Sequence, residues 1–301
     1  MKIVLANLGV AIGGCALVDD VSLTLPQGTR TALVGASGAG KSLTCAALAG
    51  TLAPAASVTG SLTIEGTDGP DGPEGPGRNL LRIPAARRPR SARAALVQQD
   101  PATALHPLIR VGDQVAAAAR AAGYGRREAP VRAQALLRRV GIDPALAERV
   151  PGRLSGGQRQ RVAVALALAA EPVLLLADEP TTALDVVARA ELLAVLDDVT
   201  ASAPAAPGAV PAPALLLVTH DLAAASLCDE IVVLHQGRVI ERGPARRVIT
   251  RPEHPVTRAM CTAAREETLA GALAAIEARA DVTDYPVGRI ARPIAPAEAR
   301  A

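Results

Sequence analysis

Residues 35–42, Gly-Ala-Ser-Gly-Ala-Gly-Lys-Ser, have the types and spacing that bind phosphate groups. The segment fits the pattern GxxxxGK[ST], and it lies between an apolar run, residues 31–34, and a helical pattern. Glycines let the backbone approach an anion closely, and successive N–H groups at a helix N-terminus attract negative charge. Lys41 provides a point charge for the β- and γ-phosphates of a nucleotide, and Ser42 offers a hydroxyl to Mg²⁺. The predicted phosphate loop consists of Gly35, Ala36, Ser37, Gly38, Ala39, Gly40, Lys41 and Ser42.

Polar side chains follow two other apolar runs that predict buried strands. Asp178 and Glu179 come directly after residues 173–177, and His220 follows a run that begins at Leu215. Because the carboxyl ends of parallel strands meet at one edge of a sheet, we expect these groups beside Lys41. Asp178 would hold Mg²⁺, Glu179 would orient or deprotonate the attacking water, and His220 would contact the γ-phosphate.

A second glycine loop precedes a helical pattern at residues 159–170. It consists of Ser155, Gly156, Gly157 and Gln158. A glycine loop at a helix N-terminus is a second anion-binding site, so one chain carries two half-sites for one triphosphate. A two-fold dimer resolves this, with each nucleotide held between the phosphate loop of one subunit and the Ser-Gly-Gly loop of the other.

The elements that position these residues alternate between strand and helix patterns. Alternation of this kind predicts an α/β fold with a mainly parallel sheet and helices on its faces. The segment from about 100 to 165 has no clear strand pattern and predicts a separate helical lobe, broken near Gly123, Gly125 and Gly141. Predicted strands lie at 3–8, 21–25, 30–34 and near 61–65, and a predicted helix spans 41–49.

Composition shifts mark the loops and the end of the chain. Residues 66–77 are rich in glycine and proline, and residues 203–213 are rich in alanine and proline, so both predict loops. The arginine-rich stretch 78–93 predicts a solvated surface. We expect one ATPase domain over residues 1–262 and an extension of unassigned role, first helical and then proline-containing, over 263–301.

The bulk composition excludes several classes of function. A net charge of +3 is too small to indicate a nucleic-acid partner, and no run approaches the ~18 apolar residues that a membrane span needs. Aromatic residues make up 1% of the chain, so alanine, leucine and valine must form the core. The cysteines show no CxxC spacing and predict reduced thiols; they are Cys15, Cys45, Cys228 and Cys261.

Taken together, these motifs resemble those of the ABC ATPase family over residues 3–262. Residues 32–42 resemble its Walker A motif, LSGGQ at 154–158 its signature, and LLLADE at 174–179 its Walker B motif. The resemblance implies three further roles: Gln99 as the Q-loop glutamine, residues 183–185 as the D-loop, and His220 as the switch histidine. It implies a P-loop core with an antiparallel β subdomain and a helical lobe, and ATP with Mg²⁺ as cofactors. Ser42, Gln99 and Asp178 would be the ligands of Mg²⁺.

Within the family, QQDPATALHP at 98–107 and RPEHPVTRAM at 251–260 are similar to ATPases of peptide and nickel importers. The resemblance implies a peripheral subunit at the cytoplasmic face of the membrane. Its partners would be a second ATPase subunit, either a copy or a paralogue, and separate permease subunits gripped by the Q-loop and the helical lobe. An extracytoplasmic binding protein would act through the permease. Peptides and nickel or another metal chelate stay open as cargo.

One departure concerns the base of the nucleotide. Many family members stack an aromatic residue on adenine; by spacing, that position lies near Ile12, and no aromatic residue is nearby. We therefore expect weak discrimination between ATP and GTP, because about 1 kcal/mol of ring-specific attraction is missing.

Two other classes of protein are alternatives. A non-transport ABC ATPase that acts on DNA or ribosomes would need a long heptad insertion or a second ATPase module, and the chain has neither. A P-loop kinase would leave LSGGQ unexplained.

Overall fold

The central element is a six-stranded sheet, seen in a computed structural model that describes residues 1–66, 79–201 and 211–266. Its five neighbouring strands β5, β6, β7, β3 and β8 are parallel, and β9 pairs antiparallel with β8 at one edge. The strands, in spatial order, are β5 (Ala94–Val97), β6 (Leu174–Asp178), β7 (Ala214–Thr219), β3 (Arg30–Val34), β8 (Glu230–His235) and β9 (Arg238–Pro244). This confirms the mainly parallel sheet that the alternating pattern predicts.

β5 is a strand that the sequence analysis missed. It has four residues, and its alanines carry little β propensity, so it is ordered by pairing with β6 rather than by its own pattern.

A smaller antiparallel sheet packs beside the first, in the order β2-β1-β4. It contains β1 (Lys2–Ile12), β2 (Cys15–Pro26) and β4 (Ala56–Glu65). The strands predicted at 3–8, 21–25 and 61–65 lie inside these elements, but each strand is longer than predicted. The β1–β2 hairpin continues to a tight turn at Gly13 and Gly14, whose positive φ angles of 59° and 83° suit glycine.

The helices divide between the sheet and the predicted lobe. α2 (Val111–Ala121) and α3 (Glu128–Arg139) lie inside the segment 100–165, where they pack on each other and on α4 (Gly156–Ala169). The other helices are α1 (Lys41–Ala49), α5 (Val186–Thr200), α6 (Leu222–Ala225) and α7 (Ala245–Thr250). α1 matches the predicted bounds. A further helical run, residues 255–266, crosses residue 262, where we placed the end of the ATPase domain.

One residue of the arginine-rich stretch contradicts the expected solvated surface. The Arg88 side chain is buried, with 3% of the residue exposed, and its guanidinium donates to the carbonyls of Leu48, Ala47, Leu80 and Ile83. Leu48 and Ala47 lie in the last turn of α1, where carbonyls run short of intrahelical donors; the Ala47 carbonyl also accepts from the amide of Gly50 at 3.2 Å. Burial lowers the pKa of Arg88 to about 10, so the group stays charged at neutral pH. Arg88 therefore fixes the end of the helix that begins at the phosphate loop.

Three segments that the sequence analysis singled out fall largely outside the described residues. They are the glycine- and proline-rich loop 66–77, the loop 203–213 and the extension past residue 263. Within the ranges that the structure describes, no helix combines the length and the apolar character needed to cross a bilayer.

Candidate active site

The phosphate loop joins β3 to α1 in a backbone conformation that requires glycine at two points. Gly40 has φ 100°, in the left-handed region, and forms the N-cap of α1. A Cβ on Gly35 would lie 2.2 Å from the carbonyl oxygen of Leu234 in β8. Close packing of the loop on β8 and the left-handed turn at Gly40 together place the first N–H groups of α1 toward the cleft.

Lys41 is nearly buried beside this loop. Its side chain Nζ donates to the carbonyl of Gly35 at 2.8 Å and to that of Ala36 at 3.0 Å, and 8% of the residue is exposed. An ammonium has three donors, so one stays available for a phosphate oxygen. The loop thus holds the cation where a β- or γ-phosphate would lie.

Asp178 is the last residue of β6, and one of its carboxylate oxygens is unpaired. Ser42 hydrogen-bonds to the carboxylate, whereas Oδ1 of Asp178 is buried without a hydrogen-bond partner in the described part of the chain. Burial raises the pKa of Asp178 and the charge of Glu179 acts in the same direction, whereas Ser42 and Lys41 lower it. An orphaned carboxylate oxygen beside a serine hydroxyl is a donor set that suits Mg²⁺. The residues present therefore fit the predicted ion.

Glu179 and His220 are brought together by neighbouring strands β6 and β7. Nδ1 of His220 lies 2.9 Å from Oε1 and 2.9 Å from Oε2 of Glu179, and the hydroxyl of Thr182 donates to Oε2 at 3.2 Å. The backbone of Glu179 has φ 49°, a left-handed conformation that costs energy in a residue with a side chain. Its amide is held by the carbonyl of Val218 at 2.9 Å. The strand ends thus fix both groups at one edge of the sheet, as their positions in the sequence predict.

One cleft of about 780 Å³ lies at the carboxyl ends of β5, β6, β7 and β3, and Lys41, Ser42, Glu179 and His220 line it. Four predicted residues of this half-site are not among its lining residues: Gly35, Ala36, Ala39 and Asp178. Of the predicted site residues, the cleft is lined by Ser37, Gly38, Gly40, Lys41, Ser42, Gln99, Glu179 and His220. Gln99 reaches it from the loop that follows β5. Leu17, Leu43 and Thr182 also line the cleft, and the sequence analysis missed them.

The second glycine loop does not line this cleft. Ser155 is the N-cap of α4 and forms a capping box with Gln158: its Oγ accepts from the Gln158 amide at 3.2 Å, and Oε1 of Gln158 accepts from the Ser155 amide at 3.0 Å. Because Ser155 Oγ acts as an acceptor here, its own proton remains free to donate to an anion. Gly157 packs on α5, where a Cβ would lie 2.8 Å from Cβ of Ala188. The loop is ordered by this capping box, and its residues are not among those that line the cleft.

Leu17 is an apolar residue of the cleft that the sequence analysis did not single out. Leu17 lines the cleft, and its carbonyl oxygen lies 3.1 Å from where a Cβ on Gly40 would stand. Ile12 sits five residues earlier, at the turn of the β1–β2 hairpin, and does not line the cleft. Leu17 is therefore a second candidate for contact with the base, beside the position near Ile12. Spacing alone could not find Leu17, because the hairpin register decides which side chain lies beside the phosphate loop.

Comparison with known proteins gives one consistent result. Residues 18–182 match the family model described as ABC transporter. The oligopeptide transport ATP-binding protein OppD of Haemophilus influenzae is 34% identical over 250 residues, which cover 81% of this chain and 71% of that protein. The dipeptide transport ATP-binding protein DppD of Escherichia coli is 37% identical over 254 residues, with 83% and 72% covered.

Solved structures that resemble this chain are also subunits of ABC transporters. The structure of an ATP-binding subunit of an ABC transporter has a TM-score of 0.63 and 27% identity, and covers 82% of this chain and 92% of its own. The structure of cbiO1 from Clostridium perfringens, part of the ABC transporter complex cbiONQ, has a TM-score of 0.66 and 25% identity, with 83% and 90% covered. The chain belongs to the ABC transporter family, and it is an ATP-binding subunit of the kind that hydrolyses ATP.

Proposed function

We propose that this chain is the peripheral ATPase of an importer of di- or oligopeptides, and that it works as a dimer with two shared ATP sites. The observation that carries the proposal is the division of the phosphate-binding groups. Lys41, Glu179 and His220 lie in one cleft, whereas the ordered anion loop at Ser155 lies outside it.

A head-to-tail dimer makes use of both half-sites. The phosphate loop, Gln99, Asp178, Glu179 and His220 of one subunit would hold a nucleotide, and Ser155–Gln158 of the second subunit would close over its phosphates. The partner is a second copy of this chain or a paralogue. ATP would hold the dimer closed, and hydrolysis would release it.

Within each site the residues have separate tasks. Lys41 neutralises the β- and γ-phosphates, and Glu179 accepts a proton from the attacking water while His220 orients its carboxylate and contacts the γ-phosphate. Ser42, Asp178 and Gln99 would hold Mg²⁺, which supplies charge neutralisation on the phosphate oxygens when bound.

The loop after Gln99 offers a surface for the permease. Leu108 is 83% exposed, and its neighbour Ile109 is also exposed. The side chain of Gln114 in α2 orders this loop: its Oε1 accepts from the His106 amide at 2.8 Å, and its Nε2 donates to the Ile109 carbonyl at 2.8 Å. An ordered loop with exposed apolar side chains suits a helix of a permease subunit, which would place this protein at the cytoplasmic face of the membrane.

Peptides are the favoured cargo because the curated relatives reported above transport oligopeptides and dipeptides. The cargo itself would be selected by an extracytoplasmic binding protein that acts through the permease. A nickel chelate is the competing cargo.

The test is reconstitution of the full chain with its permease subunits and binding protein in liposomes. We expect ATP-dependent uptake of labelled dipeptide and no uptake of ⁶³Ni²⁺. Uptake of nickel alone would overturn the assignment of peptides as the cargo. Recovery of ribosomes or DNA from cells, in a pull-down that contains no membrane protein, would overturn the assignment of the chain to an importer.

A further inference from the structure

A buried glutamine outside the cleft connects two parts of the site. Gln160 lies in α4, two residues after Gln158, and is 1% exposed. Its Nε2 donates to the backbone carbonyl of Gln98 at 2.9 Å, although the two residues are 62 positions apart. Buried amide groups of this kind are almost always paired, because an unpaired one loses its hydration without compensation.

The carbonyl that Gln160 binds belongs to the peptide bond that begins Gln99. The side chain of Gln98 is also fixed, because its Oε1 lies 2.5 Å from the hydroxyl of Thr103, whose single proton it shares with the carbonyl of Asp100 at 2.7 Å. Gln99 lines the cleft of its own subunit. Its position therefore depends on Gln160.

The other end of the connection is the signature loop. Ser155 caps α4 through its capping box with Gln158, and Gln160 follows in the next turn of the same helix. A helix transmits displacement of its first turn to the second as a nearly rigid body, because each turn is hydrogen-bonded to the next. When an anion moves Ser155, Gln160 moves with it, and the Gln98 carbonyl follows.

We propose that Gln160 is a positioning residue that couples the two ATP sites of the dimer. It relays the position of the signature loop, which closes over the partner's nucleotide, to Gln99, which serves the nucleotide of its own subunit. This inference rests on the dimer of the proposed function. The hydrogen bond from Gln160 to the Gln98 carbonyl would then contribute to the coupling free energy between the two ATP sites.

The experiment measures ATP hydrolysis against ATP concentration in the reconstituted transporter. For two coupled sites the Hill coefficient has a ceiling of about 2, and we expect wild-type protein to exceed 1 clearly. Gln160→Met keeps the length and burial of the side chain but removes the donor, and we expect its Hill coefficient to fall to about 1. Gln160→Leu, which also removes the donor and stays apolar, serves if the methionine variant does not fold.

Thr200→Val is the matched control. Thr200 is also fully buried, and its hydroxyl donates to the backbone carbonyl of Leu196 at 2.6 Å, at the end of α5 remote from the contact between Ala188 and Gly157. We expect Thr200→Val to lower the melting temperature and to leave the Hill coefficient at the wild-type value. A merely structural role of Gln160 would make the two variants alike.

Three results would overturn the coupling: a wild-type Hill coefficient of 1, an unchanged coefficient in folded Gln160→Met and Gln160→Leu, or an equal fall in Thr200→Val. None of these three results contradicts the proposed function. The proposed function is tested by other measurements: it would be contradicted if Glu179→Gln stayed monomeric with ATP and the permease present, or if the liposomes took up no peptide.

Discussion

Nδ1 of His220 lies 2.9 Å from each carboxylate oxygen of Glu179, so the two residues predicted to act on the γ-phosphate and on the attacking water contact each other directly. An ionised carboxylate only accepts, so this contact assigns a proton to Nδ1. A neutral ring of that tautomer has only an acceptor at Nε2. Contact between Nε2–H and a phosphate oxygen would therefore require an imidazolium or a rotated ring.

Glu179→Gln keeps the size of the side chain and removes the base. We expect kcat for ATP hydrolysis to fall by about 10²–10⁴, since that is the usual contribution of a positioned general base, while ATP binding is retained. Size-exclusion chromatography with ATP and permease should show a trapped dimer. Glu148→Gln, an exposed carboxylate of the helical lobe paired only with Arg110, is the control and should hydrolyse ATP at the wild-type rate.

Leu17→Tyr should create a preference for ATP. A ring at this position in the cleft would stack on adenine and contribute about 1 kcal/mol, which is about fivefold in the ratio of ATP to GTP affinity. Wild-type protein should bind the two nucleotides with similar affinity in a competition assay.

Ile12→Tyr is the matched control for this change, because Ile12 is an exposed apolar residue of the same hairpin that does not line the cleft. It should leave the ratio unchanged. An equal gain from both variants, or strong ATP preference in wild-type protein, would contradict the assignment of Leu17.

Arg88→Met should destabilise the protein although it lies in a stretch that the sequence predicts to be solvated. The variant removes the donor from the carbonyls of Leu48 and Ile83 and one of two donors from those of Ala47 and Leu80, and we expect a loss of about 3 kcal/mol in the free energy of unfolding by urea. Arg87→Met, at the exposed neighbour, should change it by less than about 0.5 kcal/mol. Similar losses of unfolding free energy in Arg88→Met and Arg87→Met would show that the buried hydrogen bonds of Arg88 do not stabilise the fold.

Asp178 makes the Mg²⁺ requirement sensitive to acid. Its raised pKa means that a proton competes with the metal at pH values above the ordinary carboxylate pKa of about 3.9. The Mg²⁺ concentration for half-maximal ATP hydrolysis should therefore rise as the pH falls through this raised pKa. A pH-independent value over that range would contradict the burial of an unpaired oxygen at the site.

The raised pKa of Asp178 also makes the stability of the metal-free protein depend on pH. A carboxyl group whose pKa is raised by folding contributes stability that is present below its unfolded pKa and lost as the pH rises through the folded pKa. Without Mg²⁺, Asp178→Asn should raise the melting temperature at neutral pH and have no such effect in acid. An equal melting temperature for wild-type protein and Asp178→Asn at neutral pH would contradict the raised pKa of Asp178.

Several features of the site were predictable because each is short and local. The phosphate loop, the two carboxylates at the end of β6 and His220 after β7 were found from residue types that follow apolar runs, and the parallel sheet brings them together as expected. The sequence could also predict the parallel core, since buried parallel strands are continuously apolar.

What the sequence by itself determined is which residue types stand ready for the chemistry of the site: the phosphate loop, the carboxylates after β6, His220 after β7 and a second glycine loop before α4. Only the tertiary structure decided where three side chains lie. Leu17 rather than Ile12 lines the cleft, Arg88 turns inward at the end of α1, and Gln160 reaches the loop of Gln99. The physical reason is that these choices depend on hairpin register and on contacts between residues far apart in the chain, and no local pattern of residue types encodes either.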